Sequence, residues 1–231
     1  MSSLDTSHVT SMEAVFFGCN DVTFLDLSTF ETSNVRSMAN MFAHTDHLAS
    51  IKLSNFDTSS VTDFNHMFKY ALGLRSLDLS HFDTSSAIDM HCMFYSCWYL
   101  QSLDITKFDT HLVERMELMF YDCYFLESLD LSSFDTHLIT NMEQIFHNCQ
   151  SLKSLDLSSF DTHSVQTMKE MFYGCKSLTF LDVSSFDTRL VENMESMFLD
   201  CISITSLDLS SFNTPKTNNM FTMFYNNEKL Y

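Results

Sequence analysis

The chain has 231 residues, 45% of them hydrophobic, with 30 acidic against 12 basic residues and a formal charge of −18. That apolar content excludes a disordered chain, and the acidic excess excludes nucleic acid or an anionic membrane as partner, since both require a basic face. Apolar residues never run to membrane-spanning length, and the start, Met1-Ser2-Ser3-Leu4-Asp5, has neither the basic nor the apolar region of a signal peptide. No membrane insertion is expected, and the chain either stays inside the cell or is a piece of something longer.

From Leu4 onward one signature returns every 26 residues: Phe30, Phe56, Phe82, Phe108, Phe134, Phe160, Phe186 and Phe212, each followed two residues later by threonine, Thr32 through Thr214, with Thr6 in the first unit. A period of this size marks a solenoid, in which each unit buries its apolar side only by stacking on its neighbours. Within a unit the order of elements is constant. From Phe134 to Ser159, the apolar residues Ile139, Met142, Ile145 and Phe146 follow Thr136 at spacings that fit one helical face. The segment Leu152, Leu155, Leu157 then alternates as a short strand does. Threonine stands where a helix N-cap would, and Pro215, directly after Thr214, stands at a first helical position. Residues that readily close a helix in the left-handed conformation, Gly18, Ser96, Asp122, Asn148, Gly174, Asp200 and Asn226, precede the cysteine slot in seven of nine units. His44 and Tyr70 are the exceptions, where a looser bend is expected.

These elements predict an α/β solenoid: a leucine-rich-repeat-like array of 26-residue units, each a short parallel strand plus a short helix. The array forms a single repeat domain over 1–231, with eight full units over 4–211 and a partial ninth over 212–231. Stacking puts like on like. Phe16, Phe42, Phe68, Phe94, Phe120, Phe146, Phe172, Phe198 and Phe224 form a second phenylalanine column beside methionine columns, and packing is reason enough for both.

The pattern Leu-x-x-Leu-Asp-Leu-Ser-x-Phe-Asp-Thr-x-x-Val-x-x-Met-x-x-Met-Phe-x-x-Cys, seen for example within Leu152 to Cys175 and its flanks, resembles the BspA-like leucine-rich repeats of bacterial and protist surface proteins. The resemblance implies a curved solenoid on the cell surface or outside the cell, used for adhesion or protein recognition, and a family with no catalytic residues to carry over. Lys52, Thr45, Ala71 and Asn227 depart from the pattern. Without a signal or anchor in this chain, a cytoplasmic location stays open.

Three polar columns invite a functional reading. Asp78, Asp104, Asp130, Asp156 and Asp182, with Asp26 and Asp208, lie between inward leucines and face outward. They read either as an acidic strip for a cationic partner or calcium, or as a solvated face held by serine hydrogen bonds; a flat ladder does not converge the six to eight oxygens calcium takes. Cys19, Cys97, Cys123, Cys149, Cys175 and Cys201 recur once per unit, unlike zinc-ligand pairs, and parallel side chains oppose bridging, so they are expected free and buried. Cys92, outside that register, is expected to be the one reactive thiol. His111, His137 and His163 form a short exposed row.

Because Ser, His and Asp repeat for structural reasons, none stands out as a unique nucleophile or base, and no phosphate loop or nucleotide fingerprint is present. The expectation is a non-enzymatic protein with no cofactor and no metal, serving protein recognition or adhesion; a spacer or end-to-end self-associating rod is the alternative. Trp98, Tyr99, Tyr121, Tyr124 and Phe125 are the candidate anchors for a protein partner, since aromatic side chains dominate interface energetics, with rim packing between neighbouring units the other account of them.

Overall fold

A computed structural model describes residues 4–230 as a single solenoid of stacked coils with the expected 26-residue period. Strands β1 (Phe24–Asp26) and β2 (Ser50–Lys52) pair in parallel, as do β3 (Ser76–Asp78) and β4 (Ser102–Asp104). The register is one coil per strand, with Leu25 opposite Ile51 and Leu77 opposite Leu103. Residues 128–130, 154–156 and 180–182 keep the same exposed–buried–exposed alternation without forming a regular ladder.

The predicted helices do not form: there is no α-helix among the described residues. Where apolar spacing suggested one, alternate amides leave the coil. The N–H groups of Met38, Asn40, Phe42 and His44 donate to the carbonyls of Asp63, Asn65, Met67 and Lys69 in the next coil at 2.9, 2.8, 2.9 and 2.7 Å. The amides between them, Met41 and Ala43, donate three residues back in their own coil, at 3.1 and 3.0 Å. A helix would direct both sets to the fourth residue back. Here the intercoil half of the bonds glues neighbours together, and the local half folds the chain into consecutive turns. Parallel bridges such as Ser11–Ser37 and Ser37–Asp63 lead into this run.

Two residues per coil, four apart, take the left-handed conformation. The first is Ala14, Asn40, His66, Cys92, Leu118, Gln144, Glu170, Ser196 or Thr222, and the second falls directly before the cysteine slot. The second position includes His44 at φ 57° and Tyr70 at φ 58°, so the bend there is no looser than at Asp122 (55°) or Asn148 (61°). The intercoil bonds impose the conformation on whichever side chain is present. At Gly73 the constraint is steric instead: a Cβ would lie 2.6 Å from the Leu48 carbonyl oxygen of the preceding coil.

The threonine column is not a row of helix caps. In Thr6, Thr32, Thr84, Thr110, Thr136, Thr162 and Thr188 the hydroxyl clamps the next coil, donating to the carbonyl and accepting from the amide of the residue 25 positions on, and Thr58 makes the first of these bonds. Thr32 holds Asp57 this way at 2.9 and 2.8 Å, and Thr136 holds Asp161 at 2.9 and 2.8 Å. The threonine carbonyl meanwhile closes a three-residue turn, as from Ile139 to Thr136 at 2.9 Å. Pro215 sits at the second position of the equivalent turn, which its fixed φ favours. The core is continuous along the array. From Phe16 to Phe224 the rings of the second phenylalanine column stack with centroids 5.4–5.8 Å apart, within the range that favours offset stacking.

Candidate functional site

On the strand face the aspartates project to solvent as the alternation requires, and each is fastened to the residue two positions on. Asp78 Oδ1 accepts from the amide and hydroxyl of Ser80 at 2.9 and 2.6 Å, and Asp104 accepts from both groups of Thr106 at 3.2 and 2.7 Å. The amides of Ser132, Ser158 and Ser184 reach Asp130, Asp156 and Asp182 at 3.0, 2.9 and 2.9 Å. These bonds hold Asp78, Asp130, Asp156 and Asp182 below the usual carboxylate range. Asp26 falls to about 2, through Ser28 first and then Lys52, whose ammonium lies 3.0 Å away. The hydrogen-bonded reading of this column is therefore what the geometry displays, and Asp78, Asp130, Asp156 and Asp182 stay ionised at neutral pH. It carries only shallow clefts, such as one of about 370 Å³ between Asp156, Phe180 and Asp182.

The aromatic candidates separate into two groups. Trp98 stacks on Tyr124 at 5.3 Å and Tyr99 on Phe125 at 5.7 Å, four rings from two adjacent coils just upstream of the strand face. Trp98 is 40% exposed and Tyr99 47%, so the stacks shape a surface rather than fill a core. Arg75 lies over Tyr99, 5.9 Å from the ring centroid. Tyr121 belongs elsewhere: it stacks in a column with Tyr95, His147 and Tyr173 at 4.6, 4.4 and 4.4 Å, on the turn side of the coils.

The cysteine column has a role that spacing alone did not reveal. Cys97, Cys123, Cys149, Cys175 and Cys201 are free and buried, and each thiol donates to the phenylalanine carbonyl 29 residues earlier, at 3.0–3.3 Å. Asn227 supplies its side-chain amide to the same carbonyl in the last coil, at 2.8 Å to Phe198, which explains that departure from the pattern. Cys92 is not the accessible thiol. It is buried, and burial pushes its thiol up to about 12, while Cys19 at the first coil is the half-buried one. His111, His137 and His163 are exposed as expected, each ring against the aspartate two residues before it at 2.7, 2.8 and 2.8 Å.

Cys92 does not stand alone. It occupies the left-handed slot that His66 occupies one coil earlier, and its Sγ lies 3.3 Å from Nε2 of the adjacent His91. Donor atoms of His66, His91 and Cys92 all fall within 4.8 Å of one another. Desolvation, with Lys69 second, depresses the His66 imidazole to about 4, so it is neutral at physiological pH. Cys92 lies outside the register of the cysteine column and 26 residues after His66, so the repeat period places the two in the same slot of adjacent coils.

A family model described as "Mycoplasma protein of unknown function, DUF285" matches residues 1–103, 88–181 and 153–231. No curated protein matches the chain. Among solved structures, a leucine rich cell surface protein from Faecalibacterium prausnitzii A2-165 is similar at 16% identity and a TM-score of 0.36, over 90% of this chain and 62% of that one. The chain thus spans less than two thirds of that protein. A leucine-rich repeat protein from Bacteroides ovatus ATCC 8483 is similar at 17% identity and a TM-score of 0.31, over 96% of this chain and 81% of that one. No helix among the described residues is long and apolar enough to cross a membrane.

Proposed function

The chain belongs to the DUF285 family of Mycoplasma proteins of unknown function, and from its surface we propose that it is a non-enzymatic protein-recognition module working at the cell surface. The carrying observation is the pair of exposed stacks, Trp98 on Tyr124 and Tyr99 on Phe125, beside a strand face of ionised aspartates. Rigid aromatic rings lose little conformational entropy on contact and supply most of the energy in small interfaces. The aspartates Asp78, Asp104, Asp130, Asp156 and Asp182 would steer a cationic partner and set its orientation more than its affinity. The surface location rests on the resemblance of the repeat motif to BspA-like surface proteins.

The test is binding of the labelled chain to intact cultured cells, before and after protease treatment of the cell surface. Saturable binding that protease abolishes is expected, weakened at least fivefold by Trp98→Ala with Tyr124→Ala, about 1 kcal/mol, with an unchanged melting curve. Binding that resists protease, or a double variant that binds as the parent does, overturns the reading. A second reading, an end-to-end rod, is favoured by one observation: within the turn run the intercoil amide bonds, such as those of Met38, Asn40, Phe42 and His44, point the same way from coil to coil.

A further inference from the structure

We propose that His66, His91 and Cys92 form a binding site for a zinc-class transition-metal cation that staples two adjacent coils. Their donor atoms all lie within 4.8 Å of one another, and His91 Nε2 is already 3.3 Å from Cys92 Sγ. A tetrahedral zinc with bonds of about 2.0–2.1 Å to nitrogen and 2.3 Å to sulfur needs donor separations of roughly 3.3–3.6 Å. The remaining gap is within reach of side-chain rotation, with the backbone held by the intercoil bonds. Two imidazoles and a thiolate favour zinc, cobalt or copper(I) over magnesium or calcium, which take oxygen. The fourth position would be filled by water.

Acceptor oxygens lie beside both rings. His91 Nδ1 is 3.1 Å from Glu117 Oε1 without the alignment of a hydrogen bond, and Nε2 is the atom beside the thiol. Glu117 is itself held by Arg115 through bonds of 3.1 and 2.8 Å. His66 Nδ1 is in contact with the Asn65 side-chain oxygen. Carboxylate and carbonyl partners of this kind orient a ligating imidazole and set its tautomer. The repeat supplies a second argument. Elsewhere the slot of His66 and Cys92 holds Ala14, Asn40, Leu118, Gln144, Glu170, Ser196 or Thr222, so coil stacking does not require a ligand there. Cys92 also lacks the carbonyl partner that accounts for the cysteine column. Binding converts Cys92–SH to a metal-bound thiolate and releases one proton to solvent.

Cobalt titration of the reduced full-length chain tests this directly. One equivalent should bring up a thiolate-to-cobalt charge-transfer band and tetrahedral d–d bands, both erased by added zinc. Cys92→Ser should abolish the charge-transfer band, and Glu117→Gln should weaken binding about 10–100-fold. His66→Asn should remove the tetrahedral bands; serine and asparagine are borne in this slot by Ser196 and Asn40, which makes both substitutions compatible with the coil. Zinc should raise the melting temperature of the parent and not of His66→Asn, and melts in chelator establish that each variant is folded. Absence of the charge-transfer band at saturating cobalt, or a band that survives Cys92→Ser and disappears with Cys19→Ser, overturns the proposal.

Discussion

At Thr162 a single hydroxyl performs two tasks for the neighbouring coil, donating to the Asp187 carbonyl at 3.2 Å and accepting from the Asp187 amide at 2.7 Å. Thr162→Ala strands both backbone groups, and each buried group left unsatisfied costs about 1–3 kcal/mol. A loss of about 2–3 kcal/mol in urea unfolding is therefore expected. Thr162→Ser, which keeps the hydroxyl, should stay within about 1 kcal/mol of the parent. Ser164→Ala, at the surface against His163, should be nearly silent. Equal losses at positions 162 and 164 would sink the clamp. The invariance of threonine was legible in the sequence but its role was not, because a helix cap and an intercoil clamp call for the same hydroxyl before the same apolar pattern. The Asp-x-Ser bonds were legible, since both partners lie two residues apart within one coil.

The turn run illustrates how a correct pattern yields a wrong element. Ile139, Met142, Ile145 and Phe146 are all buried, as a helical face would place them. Three-residue turns bring the same positions inward, and what separates the two is where the alternate amides go, 25 residues away in sequence. No local reading of one unit contains that information. Ala14 distinguishes the alternatives in solution: it is exposed and left-handed, with φ 57°. In a helix, Ala14→Gly would cost about 1 kcal/mol. In the observed conformation it relieves a backbone cost of roughly 1–2 kcal/mol, offset in part by glycine entropy, so a neutral or slightly stabilising effect is expected. Far-ultraviolet circular dichroism should likewise lack the double minimum of helix. A clear destabilisation by Ala14→Gly together with a helical spectrum would restore the helix. The same distinction governs the candidate sites. Outward residues of the strands were identifiable from alternation, and Trp98, Tyr99, Tyr124 and Phe125 from aromatic clustering between the turn run and the strands, whereas His66, His91 and Cys92 converge only because the left-handed turns stack one coil on the next.

Taken along its length, the molecule is polarised by those same bonds. In the first coil the amides of Met12, Ala14, Phe16 and Gly18 donate forward, and at the other end Met194, Ser196, Phe198 and Asp200 donate forward into the last coil. Among the described residues no further coil meets the amides of Met220, Thr222, Phe224 and Asn226, or the carbonyls of Ser11, Glu13, Val15 and Phe17. One end thus offers a row of donors and the other a row of acceptors at the same spacing. Apolar surface accompanies both, with Phe221 71% and Tyr225 65% exposed at the donor end, and Val15 and Phe17 exposed at the acceptor end. Unpaired edges of this kind template the addition of another chain, and a head-to-tail contact does not close on itself. The 231-residue chain should therefore associate in an open series rather than as a dimer. A charge of −18 opposes that association, and salt screens the repulsion over a Debye length of about 10 Å at 0.1 M, so assembly should increase with ionic strength. Sedimentation velocity across protein concentration and salt measures this. Phe221→Lys with Tyr225→Lys should keep the chain monomeric, and a parent that stays monomeric at high concentration and high salt would show that the two ends do not dock.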